Sequence, residues 1–147
     1  MISVAYARRL RAAGLVWRPR QFDFFHIPDR DLDERIFVIA DLSVDVQPLA
    51  DGIAAITFNG AVEWSLDYIL QQDVVWLPTE AQMRSRLGTA VEALERTEGG
   101  WACVVDVDGA RERHEASTPS DAYAQAALSL LERGHELLGD DGSPPDR

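Results

Sequence analysis

Cys103 and His114 are the two residues whose types and spacing come nearest to a nucleophile with its base. Asp108-Gly109 is the strongest hairpin signal in the chain, and with these as the two turn residues Cys103 falls directly across from His114. Opposed side chains in such a pair have Cβ atoms about 4.5–5.5 Å apart, and a thiol beside an imidazole can form a thiolate with its base. The same register sets Asp106 against Arg111 on the other face, whereas sliding the turn to Gly109-Ala110 sets Val105 against His114 instead. The neighbours Trp101 and Val105 favour a second reading of Cys103 as a small buried hydrophobe. No oxyanion-hole glycine motif accompanies it, so packing is expected and no catalytic residue is assigned.

Metal chemistry has weaker candidates. Asp29-x-Asp31-x-Asp33 begins like an EF-hand loop, but its sixth position is Glu34 where glycine makes the sharp turn, and its twelfth is Ala40 where a bidentate glutamate closes the site. His26 and His135 lie far apart in sequence and belong to no H-x-x-x-H or H-E-x-x-H pattern. Asp106 and Asp108 form a D-x-D, yet Asp108 is the natural first residue of the turn. No metal and no cofactor is expected.

All fourteen basic residues are arginine, so the chain contains no lysine. A Walker A loop, a protein-kinase strand lysine, and Schiff-base or PLP chemistry all require one, and these classes are excluded. The net charge of −11 disfavours unspecific nucleic-acid binding, whose affinity comes from neutralising phosphates. The exception to that balance is Arg8, Arg9, Arg11, Arg18 and Arg20, five arginines within thirteen residues. They read either as a solvated helix face or as a surface for an acidic partner or nucleic acid. Trp17, Trp64, Trp76 and Trp101 are many for so small a core, and Trp with Arg is the composition of interface hot spots. Trp76, beside Pro78, is the first candidate for exposure. The proposed partner-binding set is Arg8, Arg11, Arg18, Arg20, Trp17 and Trp76.

The elements that must position these residues follow from capping and periodicity. Ser3 caps a helix over residues 4–13 that stops at Gly14; residues 15–17 and 22–27 read as strands. Ile36 to Ala40 is a nearly continuous apolar run, the pattern of a strand buried on both faces or central in its sheet, and residues 43–49 and 53–58 follow as strands about an Asp51-Gly52 turn. Val62, Leu66, Ile69 and Leu70 recur at helical spacing from Asn59 to about residue 72. Val74 to Leu77 is a short apolar piece, after which Thr79 and Gln82 form the capping box of a helix whose face is Met83, Leu87, Val91 and Leu94. Gly99-Gly100 ends it. Trp101 to Val107 and Arg111 to Ala116 make the hairpin, and Thr118-Pro119 opens a last helix to about Leu138 with Tyr123, Ala127, Leu130 and Leu131 on its apolar face.

The expected fold is therefore α+β: one domain over residues 1–138, an antiparallel sheet of about six or seven strands covered by about four helices, and a disordered acidic tail at 139–147. No apolar run approaches the roughly 18 residues of a membrane span. The early arginines interrupt any signal-peptide core, and the lone Cys103 suits a reducing compartment, so a cytoplasmic location is expected.

The order of helix, LVW, IPDRDLDERIFVIADLSVDVQ, FNGAVEWSLD, VVWLPTEAQMRSRLG and GGW resembles a group of short bacterial proteins over nearly the whole chain. Some of that group are labelled pilus assembly protein CpaE, which implies an accessory role in pilus assembly, although the nucleotide loop of the ATPase CpaE proteins is missing here. The segment GWACVVDVDGARERHEASTPSDAYAQAALSLLERG looks like the hairpin-and-helix end of HicB-type antitoxins, and implies architecture. The functional expectation is a non-enzymatic binding or adaptor protein with a protein partner or a second copy of the chain. An antitoxin-like or phage-related regulator is the alternative, and a cysteine enzyme the third.

Overall fold

Short-range hydrogen bonds set the helix starts. Ser3 accepts from the Tyr6 amide, Thr79 and Gln82 complete both bonds of their capping box, and Thr118 accepts from the Asp121 amide with Pro119 opening the helix. In the computed structural model these caps begin α1 (Val4–Ala12), α2 (Glu80–Leu87) and α3 (Pro119–Glu132). The structure describes residues 1–28, 35–40, 44–48, 54–58, 68–70 and 73–137. Nine strands lie among them: β1 (Phe24–His26), β2 (Ile36–Val38), β3 (Val44–Pro48), β4 (Ala54–Phe58), β5 (Tyr68–Leu70), β6 (Val75–Leu77), β7 (Val91–Arg96), β8 (Trp101–Val107) and β9 (Ala110–Ala116). The chain is α+β with antiparallel pairing. Its strands form three three-stranded sheets, ordered β2-β1-β6, β3-β4-β5 and β7-β8-β9, in place of one larger sheet. The chain groups into two compact units, Met1–Leu15 with Pro78–Arg147, and Val16–Leu77.

In the first unit, α3 packs on β8 and β9 and against α1 and α2. Cys103, Val105 and Val107 are buried on the face of β8 that α3 covers, together with Ala122, Ala126, Ala127 and Leu130 of the helix. Burying each of the larger apolar side chains stabilises the unit by about 1.5–3 kcal/mol. The start of α1 is tied to the start of α3: the Ser3 amide donates to Asp121 Oδ1 at 2.9 Å and Gln125 Nε2 donates to the Tyr6 hydroxyl at 2.6 Å. On the opposite sheet face Ala102 and Val104 are also buried. Arg113, the register partner of Val104, stretches from β9 across the central strand to Glu95 of β7 while its Nε meets Glu115. Those ion pairs are exposed and add little by themselves.

In the second unit Phe25 is the middle of a cross-strand row, opposite Phe37 on β2 and Trp76 on β6. Phe25 and Phe37 lie 5.4 Å apart, and Trp17 stacks on Trp76 at 6.4 Å with their planes 7° apart. Such rings account for much of a small core.

Five expectations are corrected. Residues 15–17 form no strand, since Trp17 is held by its side chain. Ile36–Val38 is an edge strand, because β1 flanks it on one side only among the described residues. Tyr68–Leu70, read as part of a helix, pair with β4, and the rest of that segment, including Val62, Trp64 and Leu66, lies outside the described residues. α2 ends at Leu87 where Gly88 turns to φ 56°, which places Val91 and Leu94 in β7, paired to β8. α3 stops at Glu132 because Gly134 (φ 84°) and His135 return their amides to Leu131 and Leu130, a Schellman closure. The Asp51-Gly52 turn and the tail 139–147 are outside the described residues.

Candidate functional site

Every residue of the arginine set is exposed. On α1 the sequence VAYARRLRA turns Ala7 and Leu10 inward, leaving Ala5, Arg8, Arg9 and Ala12 as an outward stripe at i, i+3, i+4 and i+7, with Arg11 beside it. Arg9 and Arg11 occupy the last turn, where the helix dipole favours positive charge, and the Arg9 guanidinium lies 5.6 Å from the Tyr6 ring centre. Arg8 stands earlier on the helix, beyond the reach of that dipole term. No acidic residue occurs among residues 1–15, so α1 is a cationic face on a chain of net charge −11.

Arg18 and Arg20 belong to the second unit, in an extended segment where exposed Val16, Arg18 and Arg20 alternate with buried Trp17 and half-buried Pro19. Their tryptophan companions are not at the surface. Trp17 and Trp76 are each 8% exposed and stack on one another, so the sequence-based assignment of both to partner binding is corrected. The Trp17 indole N–H donates to Asp23 Oδ2 at 2.9 Å, the oxygen that also accepts the Arg20 amide at 3.0 Å. Asp23, itself buried, is what draws this indole inward. Trp101 is half-buried with the Arg96 guanidinium 5.6 Å from its ring centre.

The hairpin register places Cys103 opposite His114 and Asp106 opposite Arg111. The chemistry of a dyad does not follow. Cys103 is fully buried, and burial pushes its thiol up to about 11. His114 Nε2 turns to Glu112 at 3.2 Å, and Glu112 is gripped by both Nη atoms of Arg133 from the end of α3. That grip holds the Glu112 carboxyl below the usual carboxylate range. A thiol so placed is expected to react with a disulfide reagent at pH 8 roughly a hundredfold more slowly than an unhindered thiol of ordinary pKa. Thiol release kinetics with and without denaturant check this, and rapid reaction of the folded chain would restore the nucleophile reading.

The remaining candidates are structural. Asp106 Oδ1 accepts the Gly109 amide, and Asp108 with φ 53° and Gly109 with φ 84° make the hairpin turn. His135 Nε2 lies 3.7 Å from Asp108 Oδ2. His26 is buried, with Nδ1 3.5 Å from the Arg35 carbonyl oxygen. Asp29, Asp31, Asp33 and Glu34 are outside the described residues. No group of three or more His, Cys, Asp or Glu side chains among the described residues is placed to hold a metal, and no described helix is long and apolar enough to cross a membrane.

Sequence reasoning missed the exposed apolar side chains: Val16 at 61%, Phe22 at 67%, Ile36 at 50% and Val38 at 36%. An apolar run reads as core unless the strand's neighbours are known, so no local pattern marks these residues. The chain matches no family model, no curated protein and no solved structure.

Proposed function

We propose that this chain is a non-enzymatic binding or adaptor protein of the cytoplasm, recognising an acidic protein partner through its exposed arginines. The observation that carries the reading is α1: three arginines on a nine-residue helix, all exposed, with no acidic residue in the first fifteen. Neighbouring like charges cost a helix a few tenths of a kcal/mol each, and the dipole offsets this only in the last turn, so the charge of Arg8 is not favoured by the helix itself. An acidic partner surface is complementary to this exposed cationic face. The resemblance to CpaE-labelled proteins makes an accessory role in pilus assembly the wider setting.

Tagged wild-type chain and the double variant Arg8→Ala/Arg11→Ala, passed through nuclease-treated host lysate, test this. Both positions are exposed and alanine favours helix, so folding is expected to stay within about 0.5 kcal/mol per site. The wild type should retain a near-stoichiometric protein that the variant loses by at least tenfold. Identical retention by both sinks the arginine reading. Material released by nuclease favours an antitoxin-like regulator that touches nucleic acid, a reading to which the β7-β8-β9 meander and α3 lend an architecture.

A further inference from the structure

Among the described residues β9 lies at the edge of its sheet, with β8 as its one strand neighbour. The chain on both sides of it, residues 97–118, is described throughout. Its charged side chains stand in solvent: Arg111 is 73% exposed, Arg113 46% and Glu115 62%. Asp108 and Gly109 both have positive φ, which makes the hairpin turn type I′, and in that turn the flanking residues Val107 and Ala110 exchange main-chain bonds. Bonded and non-bonded pairs alternate along an antiparallel ladder. Glu112, His114 and Ala116 therefore also turn their amides and carbonyls to β8, while Arg111, Arg113 and Glu115 turn theirs to the outer side. Neither a bulge nor a proline interrupts that row.

Charges on an edge strand ordinarily hold copies of a protein apart, because self-pairing sets like charges opposite one another. The sequence ARERHEA does the reverse. In an antiparallel pairing about a two-fold axis at Arg113, Arg111 faces Glu115 of the second copy, Glu112 faces its His114, and Ala110 faces its Ala116. The outward main-chain groups of Arg111, Arg113 and Glu115 then meet one another in register. Arg113 meets its own copy at the axis, but its guanidinium is drawn away, to Glu95 across β8 and to Glu115. Centring the axis on Glu112 instead would set Arg111 against Arg113, and centring it on His114 would leave Ala110 and Arg111 past the end of the facing strand. One register is thus favoured by charge and by length together. Its axis is normal to the sheet, so α3, the helix that packs on β9, lies on the same side in both copies.

We propose that β9 is the interface for a second copy of this chain, the two three-stranded β7-β8-β9 sheets joining into one continuous antiparallel sheet. The interface uses none of Arg8, Arg9 and Arg11 and does not depend on the α1 reading.

Sedimentation velocity of the full chain at about 0.15 M salt, at concentrations up to about a millimolar, reads the association. The wild type should pass from monomer to dimer as concentration rises. Arg111→Glu sets glutamate against Glu115 at two symmetric places and should weaken the dimer at least tenfold. Arg111→Glu/Glu115→Arg exchanges the signs of those pairs and should recover most of the loss. Arg113→Pro removes an outward amide that the β8–β9 ladder does not use, and should abolish the dimer while leaving the circular dichroism spectrum as it was. Arg8→Ala/Arg11→Ala should dimerise as the wild type does, so loss of a lysate partner and loss of the dimer are separate results. A monomer at every concentration, a dimer indifferent to Arg111→Glu, or a double variant as weak as the single one overturns the proposal. So does a dimer lost in Arg8→Ala/Arg11→Ala, which moves the interface to α1.

Discussion

Gly100→Ala is expected to destabilise the first unit by roughly 2–5 kcal/mol, the sum of backbone overpacking and a φ open mainly to glycine. A Cβ at Gly100 would lie 2.3 Å from the Ala116 carbonyl oxygen and 2.8 Å from Ser117 Cα, at a φ of 155°. Both are main-chain atoms, and no rotamer change relieves them. Ala116 is the register partner of Trp101, so moving it pulls at the first pair of the β8–β9 ladder. The Gly100 carbonyl also accepts the Thr97 amide at 2.9 Å and closes the β7–β8 connection, which ties both ends of the glycine. Gly99→Ala is the matched control, since a Cβ there meets nothing within 4 Å. Thermal unfolding followed by circular dichroism decides: a Tm well below that of Gly99→Ala is expected, and equal values refute the steric argument. Hydrogen exchange should show the loss concentrated in β8 and β9.

Asp23→Ala should cost the second unit about 2–4 kcal/mol, because two donors, the Trp17 indole N–H and the Arg20 amide, lose one buried acceptor. Leaving a buried donor unmet costs about 1–3 kcal/mol each, and part returns if water enters. The consequence reaches beyond the bond. Trp17 stacks on Trp76 and leans on Phe25 at 6.1 Å, so a loosened indole disturbs the whole aromatic row. Tryptophan emission should shift to the red, and Asp23→Asn, which keeps one acceptor oxygen, should recover about half the loss. An unshifted emission spectrum and unchanged Tm for Asp23→Ala would leave the packing of rings as the sole reason that Trp17 is buried. Either way its role is to hold the fold under the Arg18–Phe22 segment.

Trp17 also shows where sequence reading ran out. Tryptophan and arginine side by side suggest an interface, and nothing local says that a carboxylate six residues on will draw the indole inward. Ile36 to Ala40 went wrong in the opposite sense: an apolar run looks buried or central, but among the described residues β2 lies at the rim of a three-stranded sheet with Ile36 and Val38 exposed. Val91 and Leu94 continued the helical spacing of Met83 and Leu87 past a glycine, and pairing with Val105 and Cys103 of β8 overrode that period.

The features read correctly share one property: their hydrogen bonds close within a few residues. The Ser3, Thr79–Gln82 and Thr118 caps, the Asp108-Gly109 turn and the Cys103–His114 register it imposes all follow from side chains and dihedrals of neighbours. The absence of lysine likewise removes whole chemistries without reference to any fold. Burial belongs to another class of property. Whether Trp76 is covered depends on Trp17, whether Phe25 is central depends on Phe37 and Trp76, and whether Val38 is exposed depends on no strand lying beyond it among the described residues. Those partners are up to tens of residues away, and their contact energies appear only once the chain has brought them together.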